Sequence, residues 1–166
     1  MNVLFLDDDH RLEALVEELR SDVKNDITWC TDLQEMEFLL WHEGSGSGID
    51  DYDWFLIDAQ LDEQSVLIPG KDGIPKPEDE TFYGEGTHMA GLDWLVRNRH
   101  RLDEKNKEYA LMSAYTRPVL EGACREGQSL DGITILSKAH PDFIQHIRKL
   151  LSGDYEFEAY RNSEFH

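Results

Sequence analysis

The amino-acid sequence predicts one α/β domain, in which a parallel sheet of five strands is covered by helices on both faces. Four short apolar runs and one weaker run are bounded by polar or turn residues, a pattern typical of strands buried on both faces. Segments with the apolar spacing of amphipathic helices lie between these runs, and such alternation indicates parallel strands joined by helical crossovers. The length of 166 residues also favours a single domain.

The predicted elements follow one another as strand, helix, strand, helix, strand, insertion, helix, strand, helix, strand and helix. The strand runs are VLFL (3–6), ITWC (27–30), WFLI (54–57), YALM (109–112) and ITIL (133–136). Helices are predicted over 12–19, 33–40, 92–101, 119–125 and 141–153. Asp32 is the expected N-cap of the second helix, and Pro141 is the expected first residue of the last one, which ends at Gly153.

Two segments depart from this order. Residues 62–88 contain three prolines, four glycines and seven acidic residues without a clear period, and loops of this length inside a compact domain are often functional. Residues 153–166 follow the last helix as an acidic tail. We therefore expect one domain over 1–152, with 62–88 as an insertion between the third strand and the third helix.

The charge is strongly negative and unevenly distributed. The chain has 35 acidic and 16 basic residues, a net charge of −19, and residues 1–58 hold 16 of the acidic and 3 of the basic ones. Phosphate binding needs lysine and arginine, so direct contact with nucleic acid or an anionic membrane is not expected. The chain also lacks an apolar run of about 18 residues, a basic leader and metal-ligand cysteine spacing, which favours a cytoplasmic protein with reduced thiols.

Polar side chains follow four of the predicted strands. They are Asp7, Asp8 and Asp9 after the first strand, Asp58 after the third, Ser113 after the fourth and Lys138 after the fifth. Because the carboxyl ends of parallel strands share one edge, we expect these groups to converge. Crowded carboxylates repel one another unless a cation lies among them, and oxygen ligands that also serve a phosphate favour Mg²⁺. A lysine and a hydroxyl opposite the carboxylates suit phosphoryl transfer, with an aspartate as nucleophile.

Four motifs, in chain order and each at a predicted strand end, resemble the receiver domain of two-component response regulators. They are LFLDDDH, FLIDAQL, LMSAY and ILSKA. The resemblance covers about residues 1–152 apart from the insertion, and GLDWL (91–95) is similar to the start of the receiver's third helix. It implies a flavodoxin-like, three-layer α/β/α sandwich with the strand order 2-1-3-4-5.

The resemblance also implies a metal centre and an acceptor. Asp58 would be the phosphoacceptor. Asp7 and Asp8 would be the acidic pair that holds Mg²⁺ together with Asp58, and the backbone carbonyl of Gln60 would supply a further metal oxygen.

A phosphorylation-dependent switch is the function that this resemblance implies. Ser113 would hydrogen-bond the phosphoryl group and Lys138 would pair with it. A sensor histidine kinase or a phosphotransfer protein would be the donor, and a downstream protein would respond to the phosphorylated form. The opening FLDDDHR also resembles a related family, the cyclic-phosphate processing receivers.

Two other functions stay open. Ile135 stands at the usual aromatic switch position, and Ala139 stands where a proline usually follows the lysine. Together with the long insertion, these departures fit a receiver-like scaffold that is never phosphorylated and binds a protein. The Asp7-x-Asp9 motif also resembles haloacid-dehalogenase phosphatases, in which Asp7 would be the nucleophile and Asp9 the acid/base. Otherwise no enzymatic activity is expected beyond phosphorylation and dephosphorylation of the receiver itself.

Overall fold

The central sheet has the predicted strand order. The computed structural model describes residues 1–22, 24–61, 67–69, 75–77 and 89–153. The described strands are β1 (Asn2–Leu6), β2 (Asp26–Cys30), β3 (Trp54–Asp58), β4 (Leu67–Pro69), β5 (Pro75–Pro77), β6 (Glu108–Ser113) and β7 (Thr134–Ser137). Five of them form a parallel sheet in the order β2-β1-β3-β6-β7. The strands β4 and β5 form a separate pair, so β6 and β7 are the fourth and fifth strands of the main sheet. The observed order is therefore the predicted 2-1-3-4-5.

Five α-helices connect or follow the strands within the described residues. They are α1 (Glu13–Arg20), α2 (Leu33–Trp41), α3 (Ala90–Glu104), α4 (Arg117–Ala123) and α5 (Phe143–Ser152). Short 3-10 turns lie at His10–Leu12, Glu43–Ser45 and Ile49–Asp51. None of the described helices is long and apolar enough to cross a membrane.

Helix ends differ from the predictions where local turns intervene. Asp32 caps α2 as predicted, since its Oδ1 accepts a hydrogen bond from the backbone N–H of Glu35 at 2.7 Å. The prediction that α5 starts at Pro141 was wrong. The N–H of Phe143 donates to the carbonyl of His140, a turn that keeps Pro141 outside the helix. The α5 helix ends as predicted at Gly153, whose φ of 74° is the left-handed conformation that glycine adopts readily.

Two apolar cores cover the two faces of the sheet. Alternate residues of β1 point to opposite faces, so Leu4 and Leu6 join one core while Val3 and Phe5 join the other. The first core contains the buried side chains of α2, α3 and α4, and the second contains those of α1 and α5. The result is the predicted three-layer α/β/α sandwich, with the sheet between the two groups of helices.

The predicted insertion and tail lie mostly outside the described residues. Within 62–88 the structure describes the backbone of the antiparallel pair β4 and β5, and β4 lies against α2. Within 153–166 it describes Gly153 alone. The domain boundaries proposed from the sequence therefore stay predictions.

Candidate phosphoacceptor and metal site

Three carboxylates meet at the carboxyl edge of the sheet. Asp7 and Asp8 follow β1, and Asp58 is the last residue of β3. Because β1 and β3 are neighbours paired up to Leu6 and Ile57, the next residue of each strand reaches the same place. One oxygen from each of the three carboxylates lies within 4.8 Å of the others. The structure thus brings together three of the four acidic residues that the strand-end argument predicted, and Asp9 is the exception.

Lys138 joins this group from the end of β7, the outermost strand on that side of the sheet. Its Nζ lies 2.6 Å from Oδ2 of Asp7 and 3.3 Å from Oδ2 of Asp58. The residue follows β7, which is separated from β3 by β6, and its backbone N–H donates to the carbonyl of Ser113 at 2.8 Å. The long, flexible side chain of lysine spans this distance and places one positive charge between two buried carboxylates.

The charges in this pocket shift each other's pKa. Burial, followed by repulsion from Asp7, raises the pKa of Asp58 to about 8. Burial acts to lower the pKa of Lys138, but the carboxylates of Asp58 and Asp7 outweigh it and raise that pKa. The carboxylates therefore favour the charged form of Lys138, whereas burial and the neighbouring Asp7 disfavour the ionised form of Asp58, which a further cation among the carboxylates would favour.

Ser113 lies at the adjacent strand end. It is the last residue of β6, it is buried, and the register pairs the preceding Met112 with Asp58. Its Oγ accepts a hydrogen bond from the backbone N–H of Tyr115 at 2.8 Å. The hydroxyl is therefore held at the edge that Asp58 occupies, within a loop whose backbone it stabilises.

The segment after Asp58 is anchored by backbone hydrogen bonds. The N–H of Ala59 donates to the carbonyl of Met112 at 2.8 Å, and the carbonyl of Ala59 accepts from Leu92 at 3.1 Å. Gln60 follows directly and is half-buried. The role of its carbonyl as a metal oxygen stays a prediction.

Gly91 is a residue of the site whose role the sequence did not reveal. A Cβ at this position would lie 1.7 Å from the carbonyl oxygen of Asp58, so only glycine lets α3 pack directly on the end of β3. The GLDWL motif placed this glycine at the start of a helix. It gave no signal of the contact with Asp58, because residues 62–88 separate the two in the sequence.

Asp9 has a structural role at this edge. Its carboxylate accepts from the backbone N–H of Arg11 at 3.0 Å and from the guanidinium of Arg11 twice, each at 2.9 Å. These hydrogen bonds with Arg11 hold the pKa of Asp9 below its ordinary value. Asp9 thus caps the 3-10 turn that leads into α1 and stands apart from the Asp7, Asp8 and Asp58 group.

Two departures from the receiver pattern are visible in the structure. Ile135 is buried in the core on β7, so no aromatic ring is available at that position to move between a buried and an exposed state. The peptide bond between Lys138 and Ala139 is trans, the form that a residue other than proline strongly prefers.

Solved structures of response regulators share this architecture. A response regulator receiver protein from Pseudoalteromonas atlantica aligns over 92% of this chain and 98% of its own, with a TM-score of 0.56 and 10% identity. The fold is that of a response regulator receiver. A response regulator from Thermotoga maritima aligns over 91% of this chain and 97% of its own, with a TM-score of 0.51 and 16% identity.

The receiver fold is also found in a longer regulator. RcsB from Salmonella enterica serovar Typhimurium, bound to the promoter rprA in the presence of the phosphomimetic BeF3⁻, aligns over 93% of this chain with a TM-score of 0.55 and 16% identity. This chain spans 67% of that RcsB chain and 60% of another RcsB chain. No family model and no curated protein matches this sequence. At these identities the likeness is one of fold.

Proposed function

We propose that this protein is a receiver-type signalling switch, in which Mg²⁺-dependent phosphorylation of Asp58 changes contacts with other proteins. The observation that supports it most is the convergence of Asp7, Asp8, Asp58 and Lys138 at one edge of a receiver fold. The strand ends bring these groups together from three separate parts of the chain. A surface acidic cluster with only a solubility role would not need two of its carboxylates buried beside a lysine.

The pocket suits a hard divalent cation. Asp7, Asp8 and Asp58 offer carboxylate oxygens close together, and burial, followed by repulsion from Asp7, raises the pKa of Asp58. Oxygen ligands of this type hold Mg²⁺, with the carbonyl of Gln60 as a proposed further ligand. When bound, the cation would neutralise charge on the phosphoryl oxygens and favour the ionised form of the acceptor.

The transfer step would take place on Asp58. An ionised Oδ of Asp58 attacks phosphorus, an oxygen–phosphorus bond forms, and the donor's bond to phosphorus breaks. The leaving group departs with the bonding electron pair and is the histidine nitrogen of a phosphohistidine or the acetate of acetyl phosphate. Lys138 faces the developing negative charge, and the Ser113 hydroxyl would donate to a phosphoryl oxygen.

The switch would act through the loop between β6 and α4. Engagement of Ser113 by a phosphoryl group on Asp58 would alter the Tyr115 N–H···Oγ contact, and with it the position of the start of α4. Tyr115 and Val119 are 40% and 49% exposed beside this loop. They would provide apolar surface that changes with the phosphorylation state and is read by a downstream protein.

The proposed partners are proteins. A sensor histidine kinase or a phosphotransfer protein would supply the phosphoryl group. The RcsB structure is bound to a promoter, but this chain spans 67% of that RcsB chain. The net charge of −19 of this protein opposes contact with phosphates, so we propose no direct binding to nucleic acid or membrane. We also propose a cytoplasmic location.

The geometry favours this switch over a haloacid-dehalogenase phosphatase. That alternative needs Asp9 as a general acid, whose pKa should be raised towards neutral pH. Instead the hydrogen bonds with Arg11 lower the pKa of Asp9, and its carboxylate is engaged in capping. The phosphatase hypothesis also leaves the buried Asp58 without a chemical role.

Beryllofluoride with Mg²⁺ tests the proposal by NMR. We expect the amide signals of Ser113, Tyr115 and Lys138 to shift on addition of both reagents, because the mimic occupies the place of a phosphoryl group on Asp58. The Asp58→Asn variant should show no such shifts. Absence of shifts in the wild-type protein, or equal shifts in the variant, would favour the unphosphorylated scaffold instead.

A further inference from the structure

The turn that carries the acidic pair is held by a side chain from the neighbouring strand. Trp29 lies on β2 beside Phe5 of β1, and its indole Nε1–H donates to the backbone carbonyl of Asp7 at 2.8 Å. Since β1 ends at Leu6, this carbonyl lies beyond the last paired residue of the strand. Asp7 is fully buried, so its carbonyl needs a partner from the protein, and the indole provides one.

The same ring contacts the other end of the turn. The imidazole of His10 lies edge-on to the indole of Trp29, with 6.2 Å between the ring centroids and 63° between the planes. Such T-shaped arrangements are a favoured geometry of aromatic pairs. Trp29 therefore contacts both Asp7 and His10, the residues on either side of Asp8 and Asp9.

The turn from Asp7 to His10 is also stabilised by hydrogen bonds of Asp7. The N–H of Asp9 donates to Oδ1 of Asp7 at 2.9 Å, while Oδ2 of Asp7 accepts from Lys138. The backbone N–H of Asp7 donates to the carbonyl of Cys30, the residue after Trp29. Both backbone groups of Asp7 are thus fixed by β2, and the carboxylate orientation depends on where β2 holds that backbone.

We infer that Trp29 is the positioning residue of the proposed Mg²⁺ site, acting through the backbone of Asp7 and the turn that holds Asp8. The inference rests on the proposed function for the identity of the ligand, but not for the contacts. Partners that orient metal ligands commonly contribute 10- to 100-fold to metal affinity. The sequence concealed this role, because a tryptophan in an apolar run is most simply explained as part of the core.

A matched pair of variants tests the inference. Trp29→Phe removes the indole N–H while keeping an aromatic ring, and Trp54→Phe makes the same change in another half-buried tryptophan of the same core. Trp54 begins β3 and so lies at the opposite edge of the sheet from the carboxylates. Site-specific replacement of Trp29 by 3-benzothienylalanine, which has sulfur in place of the N–H group, keeps the ring size and isolates the hydrogen bond.

Two measurements on the full chain decide the outcome. Calorimetric titration with Mg²⁺ should give a dissociation constant about tenfold higher for both Trp29 variants than for the wild type and Trp54→Phe. Amide hydrogen exchange without metal should be faster at Asp8 and Asp9 in the Trp29 variants only. Unchanged Mg²⁺ affinity in the Trp29 variants, or equal changes in Trp54→Phe, would overturn the inference.

The two arms separate this inference from the proposed function. If the wild-type protein itself does not bind Mg²⁺, the proposed metal-dependent switch fails, and the exchange rates at Asp8 and Asp9 alone decide whether Trp29 holds the turn. If the wild type binds Mg²⁺ and the Trp29 variants bind it equally well, the switch stands and the positioning role fails.

Discussion

At the scale of single residues, the raised pKa of Asp58 makes the free energy of unfolding depend on pH. The pKa of this group is about 8 in the folded protein, whereas its ordinary value of 3.8 applies in the unfolded chain. Between these values the folded state binds more protons than the unfolded state. The free energy of unfolding therefore falls as pH rises from about 4 to about 8 in metal-free buffer.

Asp58→Asn removes this pH dependence. We expect the variant to be more stable than the wild type at pH 7.5 by more than about 1 kcal/mol, since one pKa unit corresponds to about 1.4 kcal/mol. The difference should shrink towards pH 4, where both forms of the protein carry an uncharged group at this position. Urea unfolding at several pH values with a chelator present measures it, and a stability difference that is constant with pH would contradict the explanation.

Lys138 provides the second prediction at this scale. Lys138→Met keeps the length of the side chain but leaves the buried carboxylates of Asp7 and Asp58 without their ammonium partner. We expect the free energy of unfolding at pH 7.5 to fall by about 1–3 kcal/mol, because a buried charged group loses its hydrogen bonds. Chemical denaturation measures the loss.

An exposed lysine supplies the control for that change. Lys105 forms a surface ion pair with Asp50 at 2.9 Å, and the two side chains are 43% and 77% exposed. Lys105→Met should change stability by less than about 0.5 kcal/mol. Equal effects of the two substitutions would show that the buried position of Lys138 does not matter.

At the scale of elements, the junction between β3 and α3 positions the acceptor. Gly91→Ala places a methyl group on the carbonyl oxygen of Asp58, which is backbone and cannot rotate away. We expect a loss of about 1–3 kcal/mol in the free energy of unfolding, since overpacking forces backbone shifts. Thermal and urea unfolding measure it, and NMR should show the largest amide shifts at Asp58 and Ala59.

A second helical glycine separates this clash from the helix propensity of alanine. Apart from its chain neighbours and the backbone of α4, no atom of the described residues would lie within 4 Å of a Cβ on Gly122. Gly122→Ala should therefore leave stability unchanged or raise it by up to about 1 kcal/mol. If Gly91→Ala were as well tolerated as Gly122→Ala, close packing of α3 on the end of β3 would not be needed.

The strands of the main sheet could be predicted from the sequence, whereas the start of α5 could not. Four apolar runs and one weaker run predicted the five strands of the main sheet, because strands buried on both faces need apolar side chains at successive positions. The start of α5 was predicted two residues too early. A proline is favoured at the first helical position, but the turn at His140 that excludes it depends on the local backbone path.

At the scale of the whole molecule, the sheet topology explains why the site was predictable in part. Asp7, Asp58 and Lys138 each follow an apolar strand, and parallel strands bring their carboxyl ends to one edge. The supports of the site were not predictable in this way. Trp29 and Gly91 act through backbone carbonyls of residues distant in the sequence, and no motif records such a contact.

The net charge separates into two parts once the structure is considered. A few carboxylates form the buried group around Lys138, where their charge has chemical consequences. Most of the remaining acidic residues of 1–58 are at least partly exposed, such as Glu17, Asp26 and Asp50. This acidic surface favours solubility and disfavours nucleic acid, and we expect it to favour protein partners with basic surfaces.

The measurement that tests the central claim most directly is the mass of the intact protein after incubation with acetyl phosphate and Mg²⁺. We predict that the wild-type protein gains the mass of one phosphoryl group, that a chelator prevents the gain, and that Asp58→Asn does not acquire it. A wild-type protein that stays unmodified with Mg²⁺ present, or an Asp58→Asn variant that is modified equally, would contradict the proposal that Asp58 is the phosphoacceptor of a Mg²⁺-dependent switch.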